Sequence, residues 1–241
     1  GTTTVAVNLA VQLAESTRGY VALLDLNLQT GAATTMLGVK PGAGLRVALE
    51  EPDRVDALFL ERTAVSVSDR LRLLAAEEAF EAPPKPTSEG VSRLMTLLRR
   101  GFNYIVVDMP TPADAALLPI YTIAQMRLLV MTPDVVSIRD AARYKAMLTA
   151  VTGSDKAVTV LNHAGLPGGV ADKLVERGLQ SKIDFMIPDI PKHLALSADL
   201  GVPAASRNKT FCVAMQALTK EVSGVRVGAR GGGWLGRLFG R

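Results

Sequence analysis

The chain has 241 residues, of which 48% are hydrophobic and 21% are charged. This size and composition predict one α/β domain with a large core. No apolar run reaches membrane-spanning length. The single cysteine, Cys212, excludes a disulfide framework and a zinc site and fits a reducing cytoplasm. Aromatic residues form 5% of the chain, which disfavours a stacking surface for single-stranded nucleic acid.

The positive charge is concentrated at the C-terminal end. The formal net charge is +4, and Glu221 is the last acidic residue, whereas four arginines follow it: Arg226, Arg230, Arg237 and Arg241. The remainder of the chain carries 23 basic and 23 acidic residues. Because non-specific DNA binding needs a basic face, this neutral body makes DNA an unexpected partner.

Hydrophobic periodicity predicts alternating helices and strands. Apolar runs that end on polar residues or prolines predict six strands, at 19–27, 69–78, 102–110, 125–133, 156–165 and 182–191. Helical patterns cover 3–17, 88–100, 113–124, 137–151, 168–178, 191–200 and 207–222. This alternation predicts a mostly parallel, doubly wound sheet with helices on both faces. Ligands of such sheets collect at the carboxyl ends of strands, where "DLN", "DMP" and "LNH" stand.

The first residues, "GTTTVAVNLAVQLA", have the character of a phosphate-binding loop that enters a helix. In the pattern G-x-x-x-x-G-K-[ST], Gly1 takes the place of the last glycine and Thr2 that of the lysine. Thr3 then supplies the hydroxyl that binds Mg²⁺, and Thr4 is a further donor at the helix mouth. A plain helix cap is the alternative interpretation of the same residues.

Two aspartates end predicted strands. Asp108 closes "YIVVDMP", and Asp25 closes "VALLDLN" with Asn27 just beyond it. A nucleotide-bound Mg²⁺ needs an acidic partner at such a position, either directly or through a water molecule. An aspartate that accepts hydrogen bonds from loop N–H groups is the alternative. Together with the Gly-Thr helix mouth, the two carboxylates predict a Mg-nucleotide site.

Six segments carry a family resemblance. The chain resembles the MinD/ParA group of P-loop ATPases, in particular its CpaE/TadZ branch, which helps to place and assemble tight-adherence (Flp-type) pili. The segments are "GTTTVAVNLAVQLA", "VALLDLNLQTG", "YIVVDMP", "TPDVVSIRDAARY", "VLNHAG" and "IPDIPKHLALSADLGVPAA". Members of that branch commonly read K-G-G-V-G-T-T-T. The resemblance therefore implies that residues 1–222 form the nucleotide-binding domain without its first strand and most of its phosphate loop, followed by a Gly/Arg-rich tail, 223–241.

The resemblance implies ATP and Mg²⁺ as cofactors and assigns roles to the residues around the phosphates. Residues 1–4 would end a deviant Walker A loop, with Thr3 on Mg²⁺. Asp108 would be the Walker B aspartate, bound to Mg²⁺ directly or through water, and Asp25 the first acid of a D-x-D segment. Asn27 stands where the family has the second aspartate, which is associated with orienting the attacking water. Because an amide is a very poor base, we expect weak ATP hydrolysis.

The resemblance also implies a binding site for the nucleotide base. Asn162, at the end of "TVLN", would read the adenine edge, and Pro188 and Asp189 would flank the base. His163 follows Asn162 and has no histidine or cysteine partner nearby in the sequence. We expect His163 to be a loop residue rather than a ligand.

The resemblance implies a cytoplasmic, nucleotide-dependent spatial switch. We expect an ATP-dependent homodimer that recruits pilus or secretion assembly proteins. The alternatives are a scaffold that binds nucleotide without hydrolysis, which Asn27 favours, and a ParA- or MinD-type regulator of partitioning, division or flagellar number. Residues 234–241 combine large apolar side chains with arginines, which predicts weak contact with the inner face of the cell membrane. A solvated chain end is the other interpretation of that segment.

Overall fold

The computed structural model describes residues 1–224, apart from the side chain of His193. The α-helices in this part of the chain are α1 (Thr2–Ser16), α2 (Ala33–Leu37), α3 (Leu45–Glu50), α4 (Ala57–Thr63), α5 (Ser88–Gly101), α6 (Leu118–Ile123), α7 (Val135–Thr152), α8 (Asp172–Leu179), α9 (Pro191–Asp199) and α10 (Lys209–Ser223). Short 3₁₀ turns lie at Pro52–Arg54, Ala115–Leu117 and Ala204–Ser206. The predicted tail lies outside the described residues from position 225 onward.

The strands are β1 (Val21–Asp25), β2 (Val65–Ser66), β3 (Leu71–Leu74), β4 (Tyr104–Asp108), β5 (Leu128–Met131), β6 (Val158–Ala164) and β7 (Phe185–Pro188). All six strands predicted from the sequence are present, and each is shorter than its apolar run. The sequence predicted no element between residues 28 and 68, where the structure has α2, α3, α4 and β2.

The strands form two sheets, with the orders β2-β3-β1-β4 and β5-β6-β7. All pairings are parallel except that of β2 with β3. The predicted α/β fold with a mostly parallel sheet is confirmed, but the hydrogen-bonded ladder is interrupted, because β4 and β5 are edge strands of different sheets. Helix α1 packs against both of these edge strands.

Helices cover both faces of each sheet. In β1, Leu23 packs into the core beneath α1 and α10, and the next residue, Leu24, packs into the core beneath α3 and α5. In β6, Val160 belongs to the first of these cores, whereas Leu161 faces a third core beneath α7 and α8. This alternation follows from the pleat of a strand, and it leaves one helical layer, α1 with α10, shared by the two sheets.

Helix α1 is buried all round rather than on one face. Every residue from 5 to 14 is buried, as expected of a helix that lies between a sheet and a second helix. Its buried Asn8 is satisfied on both sides, since Asn8 Nδ2 donates to the Thr4 carbonyl at 2.8 Å and Asn8 Oδ1 accepts from Ala205 N at 2.9 Å. This packing fixes the N-terminus of α1 beside the carboxyl ends of β1 and β4. No helix within residues 1–224 is long and apolar enough to cross a bilayer.

Candidate nucleotide and magnesium site

The two predicted carboxylates lie side by side. Strands β1 and β4 are parallel neighbours with Asp25 in register with Asp108, so both strands end on an aspartate at the same edge of the sheet. The two residues are 2% and 1% exposed. Two buried carboxylates at this spacing repel each other, and the arrangement needs hydrogen-bond donors or a cation between them.

Asn27 supplies donors to both carboxylates. Its backbone N–H donates to Asp25 Oδ1 at 3.0 Å, and its Nδ2 lies 3.1 Å from Asp25 Oδ1 and 3.1 Å from Asp108 Oδ2. A side-chain amide carries two N–H donors and one acceptor. Asn27 therefore bridges the two aspartates through Nδ2 and keeps its side-chain oxygen, Oδ1, for another partner, whereas an aspartate side chain at this position could supply no donor.

Thr3 completes the cluster from the start of α1. Its hydroxyl donates to Asp108 Oδ2 at 2.6 Å, so two of the predicted residues, Thr3 and Asn27, donate to the same carboxylate oxygen. The other oxygen, Asp108 Oδ1, is buried and has no hydrogen-bond partner. Burial raises the pKa of Asp108 to about 6, assisted by the nearby Asp25 carboxylate and opposed by the hydrogen bonds from Thr3 and Asn27.

These residues fit a bound Mg²⁺. The unpartnered oxygen of Asp108 and the hydroxyl of Thr3 are hard oxygen ligands, and Mg²⁺ is commonly held by one or two such groups together with waters and substrate phosphates. Within residues 1–224, no group of three or more His, Cys, Asp or Glu side chains could hold a metal ion by itself. Thr3 and Asp108 would leave most coordination positions of such a cation to water or other oxygen ligands.

A tight turn positions Asn27. In residues 27–31, the Asn27 turn, the Asn27 carbonyl accepts from Thr30 N at 3.2 Å and from Gly31 N at 2.6 Å. A Cβ on Gly31 would lie 2.5 Å from Asp25 Oδ2 and 2.7 Å from the Asn27 carbonyl oxygen. Only glycine fits this close approach. Our sequence analysis missed Gly31, although a glycine six residues after a strand-ending aspartate is a signal for such a turn.

The N-terminus of α1 faces the phosphate side of the cluster. Gly1 is the N-cap, and no side chain caps the helix. Thr2 is exposed, and Thr3 and Thr4 are half-buried. The free N–H groups of a first helical turn form an anion site, so this geometry is compatible with the predicted phosphate contacts of residues 1–4.

The predicted base-binding residues lie at the carboxyl ends of β6 and β7. Asn162 is 2% exposed and its Nδ2 is buried without a partner, 4.0 Å from the point where a Cβ on Gly1 would lie. Pro188 ends β7, and Asp189 N donates to the Ala164 carbonyl at 3.0 Å, which ties the ends of β6 and β7 together. The structure thus brings Asn162 beside Gly1 and holds Pro188 and Asp189 at the adjacent strand end.

His163 is also part of this strand end. Its Nδ1 lies 2.7 Å from Asp189 Oδ1, and its φ of 58° places the backbone in the left-handed region, which costs a non-glycine residue free energy. The sequence placed His163 in a loop without a partner. The contact links positions 26 residues apart, and the only sequence signal was that His163 directly follows Asn162.

No family model matches the sequence. Among solved structures, the fold resembles a ParA family ATPase from Chlorobium tepidum with a TM-score of 0.78, 21% identity, and coverage of 90% of this chain and 92% of that one. The fold is that of the MinD/ParA-type P-loop ATPases. MinD from Pyrococcus horikoshii complexed with Mg-ADP has a TM-score of 0.74 at 19% identity, with 92% and 90% of the two chains covered. The MinC:MinD complex from Aquifex aeolicus has a TM-score of 0.73 at 21% identity, with 95% and 93% covered.

Sequence comparison supports the same MinD/ParA-type family. The chain is 24% identical over 239 residues to the septum site-determining protein MinD of Helicobacter pylori, which covers 94% of this chain and 87% of that protein. It is 27% identical over 192 residues to an uncharacterized ATP-binding protein of Methanocaldococcus jannaschii, which covers 78% of this chain and 70% of that protein.

Proposed function

We propose that the protein is a MinD/ParA-type ATPase that binds Mg-ATP where α1 begins and where β1, β4 and β6 end. One observation carries this proposal. The hydroxyl of Thr3, the amide of Asn27 and the carboxylates of Asp25 and Asp108 form one hydrogen-bonded cluster beside the uncapped N-terminus of α1. A helix cap alone would not explain two buried carboxylates, and it would not explain why Asp108 Oδ1 is buried without a hydrogen-bond partner.

Each residue has a separate role in this proposal. Thr3 and Asp108 would hold Mg²⁺, which neutralises charge on the phosphate oxygens when it is bound with the nucleotide. Asp25 anchors the Asn27 turn by accepting from Asn27 N and from Ala33 N, at 3.0 and 3.3 Å. Asn27 would accept a hydrogen bond from a water through its side-chain oxygen, Oδ1, but could not take the proton. Slow hydrolysis follows, because positioning remains while base catalysis is absent.

The base end of the site supports adenine as the ligand. Asn162 Nδ2 is a buried donor without a partner, and a ring nitrogen of adenine would satisfy it. A buried donor left unsatisfied costs about 1–3 kcal/mol, so a ligand acceptor at this point gains that amount. Pro188 and Asp189 would border the base at the end of β7.

The interrupted ladder supports the predicted domain organisation. Strands β4 and β5 both present an edge, and α1 packs against both. A further parallel strand between these edges would unite the two sheets and lead into the start of α1, as in the strand–loop–helix order of a phosphate loop. We infer that the segment implied ahead of Gly1 forms this strand and supplies the remaining N–H groups of the phosphate cradle.

The finer proposal is a CpaE/TadZ-like role, in which an ATP-dependent dimer controls where a pilus machine is assembled at the inner face of the membrane. It rests on the six quoted sequence segments. The relationship to Helicobacter pylori MinD favours a second candidate, a regulator of septum placement. Deletion of the gene distinguishes the two, since loss of surface pili with normal cell length supports the first role. Minicells or filaments with normal piliation support the second.

Mg-ATP binding tests the biochemical proposal. Calorimetry should compare the natural full-length protein with Thr3→Val, in Mg²⁺ and in EDTA. We expect Thr3→Val to weaken Mg-ATP binding at least about tenfold, because a hydroxyl ligand is lost, and to have little effect in EDTA. Thr96→Val is the matched control, since the Thr96 hydroxyl only donates to the Ser92 carbonyl on the exposed side of α5. Equal Mg-ATP affinity of wild type and Thr3→Val would overturn the magnesium assignment.

A further inference from the structure

The loop that follows β3, residues 75–87, contacts the Asn27 turn. Its first four residues, 75–78, belong to the apolar run 69–78 that was predicted as a strand, whereas β3 ends at Leu74. Glu78 N donates to the Leu28 carbonyl at 2.8 Å, and Gln29 Nε2 donates to the Ala79 carbonyl at 2.9 Å. Just beyond the turn, the hydroxyl of Thr34 donates to Glu77 Oε1 at 3.0 Å. Three consecutive residues of the loop therefore hold the segment that presents Asn27.

Arg46 on α3 holds the loop in turn. Its Nη1 donates to Glu78 Oε2 at 3.0 Å and to the Ala82 carbonyl at 3.0 Å, and its Nε lies 3.1 and 3.2 Å from the two oxygens of Glu50. Glu50 also accepts from Lys85 N. A guanidinium is planar and rigid. Arg46 therefore holds the loop at Glu78 and Ala82, while Glu50 holds it at Lys85.

The Asn27 turn also borders an open cleft. The cleft has a volume of about 240 Å³, and its lining includes Gln29 and Thr30 of the turn, Pro84 and Pro86 of the loop, and Pro110. Close packing would hold a segment through many small contacts, but across a cavity those contacts are absent. The hydrogen bonds from the loop therefore add to the restraint that Asp25 and the buried Leu28 place on the turn.

We propose that Arg46 is a positioning residue for phosphoryl transfer: through the loop at 75–87 it holds the Asn27 turn in register with Asp25 and Asp108. This inference rests on the proposed ATPase function. It assigns Arg46 no contact with nucleotide or metal. Loss of the Arg46 contacts frees Glu78 and Ala82, and the turn then loses the partners of Leu28 and Gln29. A displacement of Asn27 by about 1 Å can lower a rate about a hundredfold.

Steady-state ATPase kinetics on the natural full-length protein test the inference. We expect Arg46→Ala to lower kcat about ten- to a hundredfold and to change the KM for Mg-ATP by less than about threefold, because the residues proposed to contact the nucleotide are untouched. Glu78→Gln should show part of this loss, since it keeps the backbone bond to Leu28. Arg46→Lys should recover part of it, because one donor can still reach Glu78.

Arg54→Ala is the matched control. Arg54 also pairs with a glutamate, Glu51 at 2.9 Å, but the two side chains are 62% and 49% exposed, and their hydrogen bond is to each other rather than to the loop. If Arg46→Ala and Arg54→Ala have the same kcat, the inference is overturned. A fall in kcat for Arg46→Ala that is matched by a proportional rise in KM also overturns it, because the residue would then act on binding.

Hydrogen–deuterium exchange separates this inference from the function on which it rests. The amides of Thr30, Gly31 and Glu78 are hydrogen-bonded in the turn and at the loop. We expect about tenfold faster exchange at these amides in Arg46→Ala and wild-type exchange in Arg54→Ala. Absence of ATP hydrolysis in the wild type would overturn the proposed function. Unchanged exchange at the turn in Arg46→Ala would overturn the positioning role of Arg46.

Discussion

Replacing Asn27 with aspartate tests the amide bridge directly. In the native protein, Asn27 Nδ2 lies 3.1 Å from one oxygen of Asp25 and 3.1 Å from one oxygen of Asp108. The substitution Asn27→Asp removes both donors and adds a third negative charge beside two buried carboxylates. We expect the protein without Mg²⁺ to lose stability. With Mg-ATP we expect faster hydrolysis, because a carboxylate can accept a proton from water.

The size of the stability loss follows from two contributions. Hydrogen bonds to charged groups contribute about 1.5–3 kcal/mol each. Two unit charges about 4 Å apart repel each other by about 4 kcal/mol at an effective dielectric constant of about 20, and protonation of one carboxyl group relieves part of this repulsion. We therefore expect the free energy of unfolding to fall by at least about 3 kcal/mol at pH 7 in EDTA, which is a large part of the stability of a typical domain.

The dependence on pH follows from Asp108. Burial raises the pKa of Asp108 to about 6, so the folded protein binds this proton more tightly than the unfolded chain does. The stability of the metal-free protein therefore falls as the pH rises from about 4 to about 6. The charge added by Asn27→Asp should make the stability fall more steeply with pH. The stability lost through Asn27→Asp should be about half as large at pH 5 as at pH 7.

Urea denaturation in EDTA at pH 5 and pH 7 measures these differences. Asn27→Leu is the matched variant, because it removes the same donors without adding a charge. Equal losses for Asn27→Asp and Asn27→Leu at pH 7 would show that the side chain does not lie between the two carboxylates. Mg-dependent ATP turnover is then measured, and we expect an increase of about tenfold or more. Brisk turnover in the wild type that Asn27→Asp leaves unchanged would mean that another residue orients the water.

Three further predictions follow from the strand ends and the tail. Gly31→Ala places a Cβ 2.5 Å from a buried carboxylate oxygen and should lower the free energy of unfolding by about 1–3 kcal/mol. Gly101→Ala places a Cβ where no neighbouring group lies within 4 Å and should leave the free energy of unfolding unchanged. His163→Ala should raise the Kd for Mg-ATP about fivefold by calorimetry, because the 2.7 Å contact to Asp189 is lost; His163→Asn, which keeps a donor, should recover part of the affinity. Deletion of residues 234–241 should reduce sedimentation with anionic vesicles in ATP, more so at low salt; equal sedimentation would exclude the tail as an anchor.

The order of helices and strands could be predicted because each element depends on residues that are close together in the sequence. Each strand is a short apolar run that ends on a polar residue or a proline, and each such run was identified with an error of one to four residues at its ends. The same local signal placed Asp25, Asp108 and Asn162 at strand ends, and the parallel α/β architecture then implies that these ends share one edge. Residues 28–68 gave no prediction, because their helices have seven residues or fewer, too short to show a helical period.

The contacts that give the site its chemistry were decided only by the tertiary structure. Asn27 donates to Asp108 across 81 positions of sequence, and that contact requires both the parallel register of β1 with β4 and a turn that only Gly31 permits. His163 and Asp189, and Arg46 and Glu78, are likewise joined from separate elements. A sequence specifies which residue ends a strand, because that choice depends on its neighbours along the chain. It does not specify which side chains meet, because a hydrogen bond forms or fails within a few tenths of an ångström, a distance that the packing of the whole domain decides.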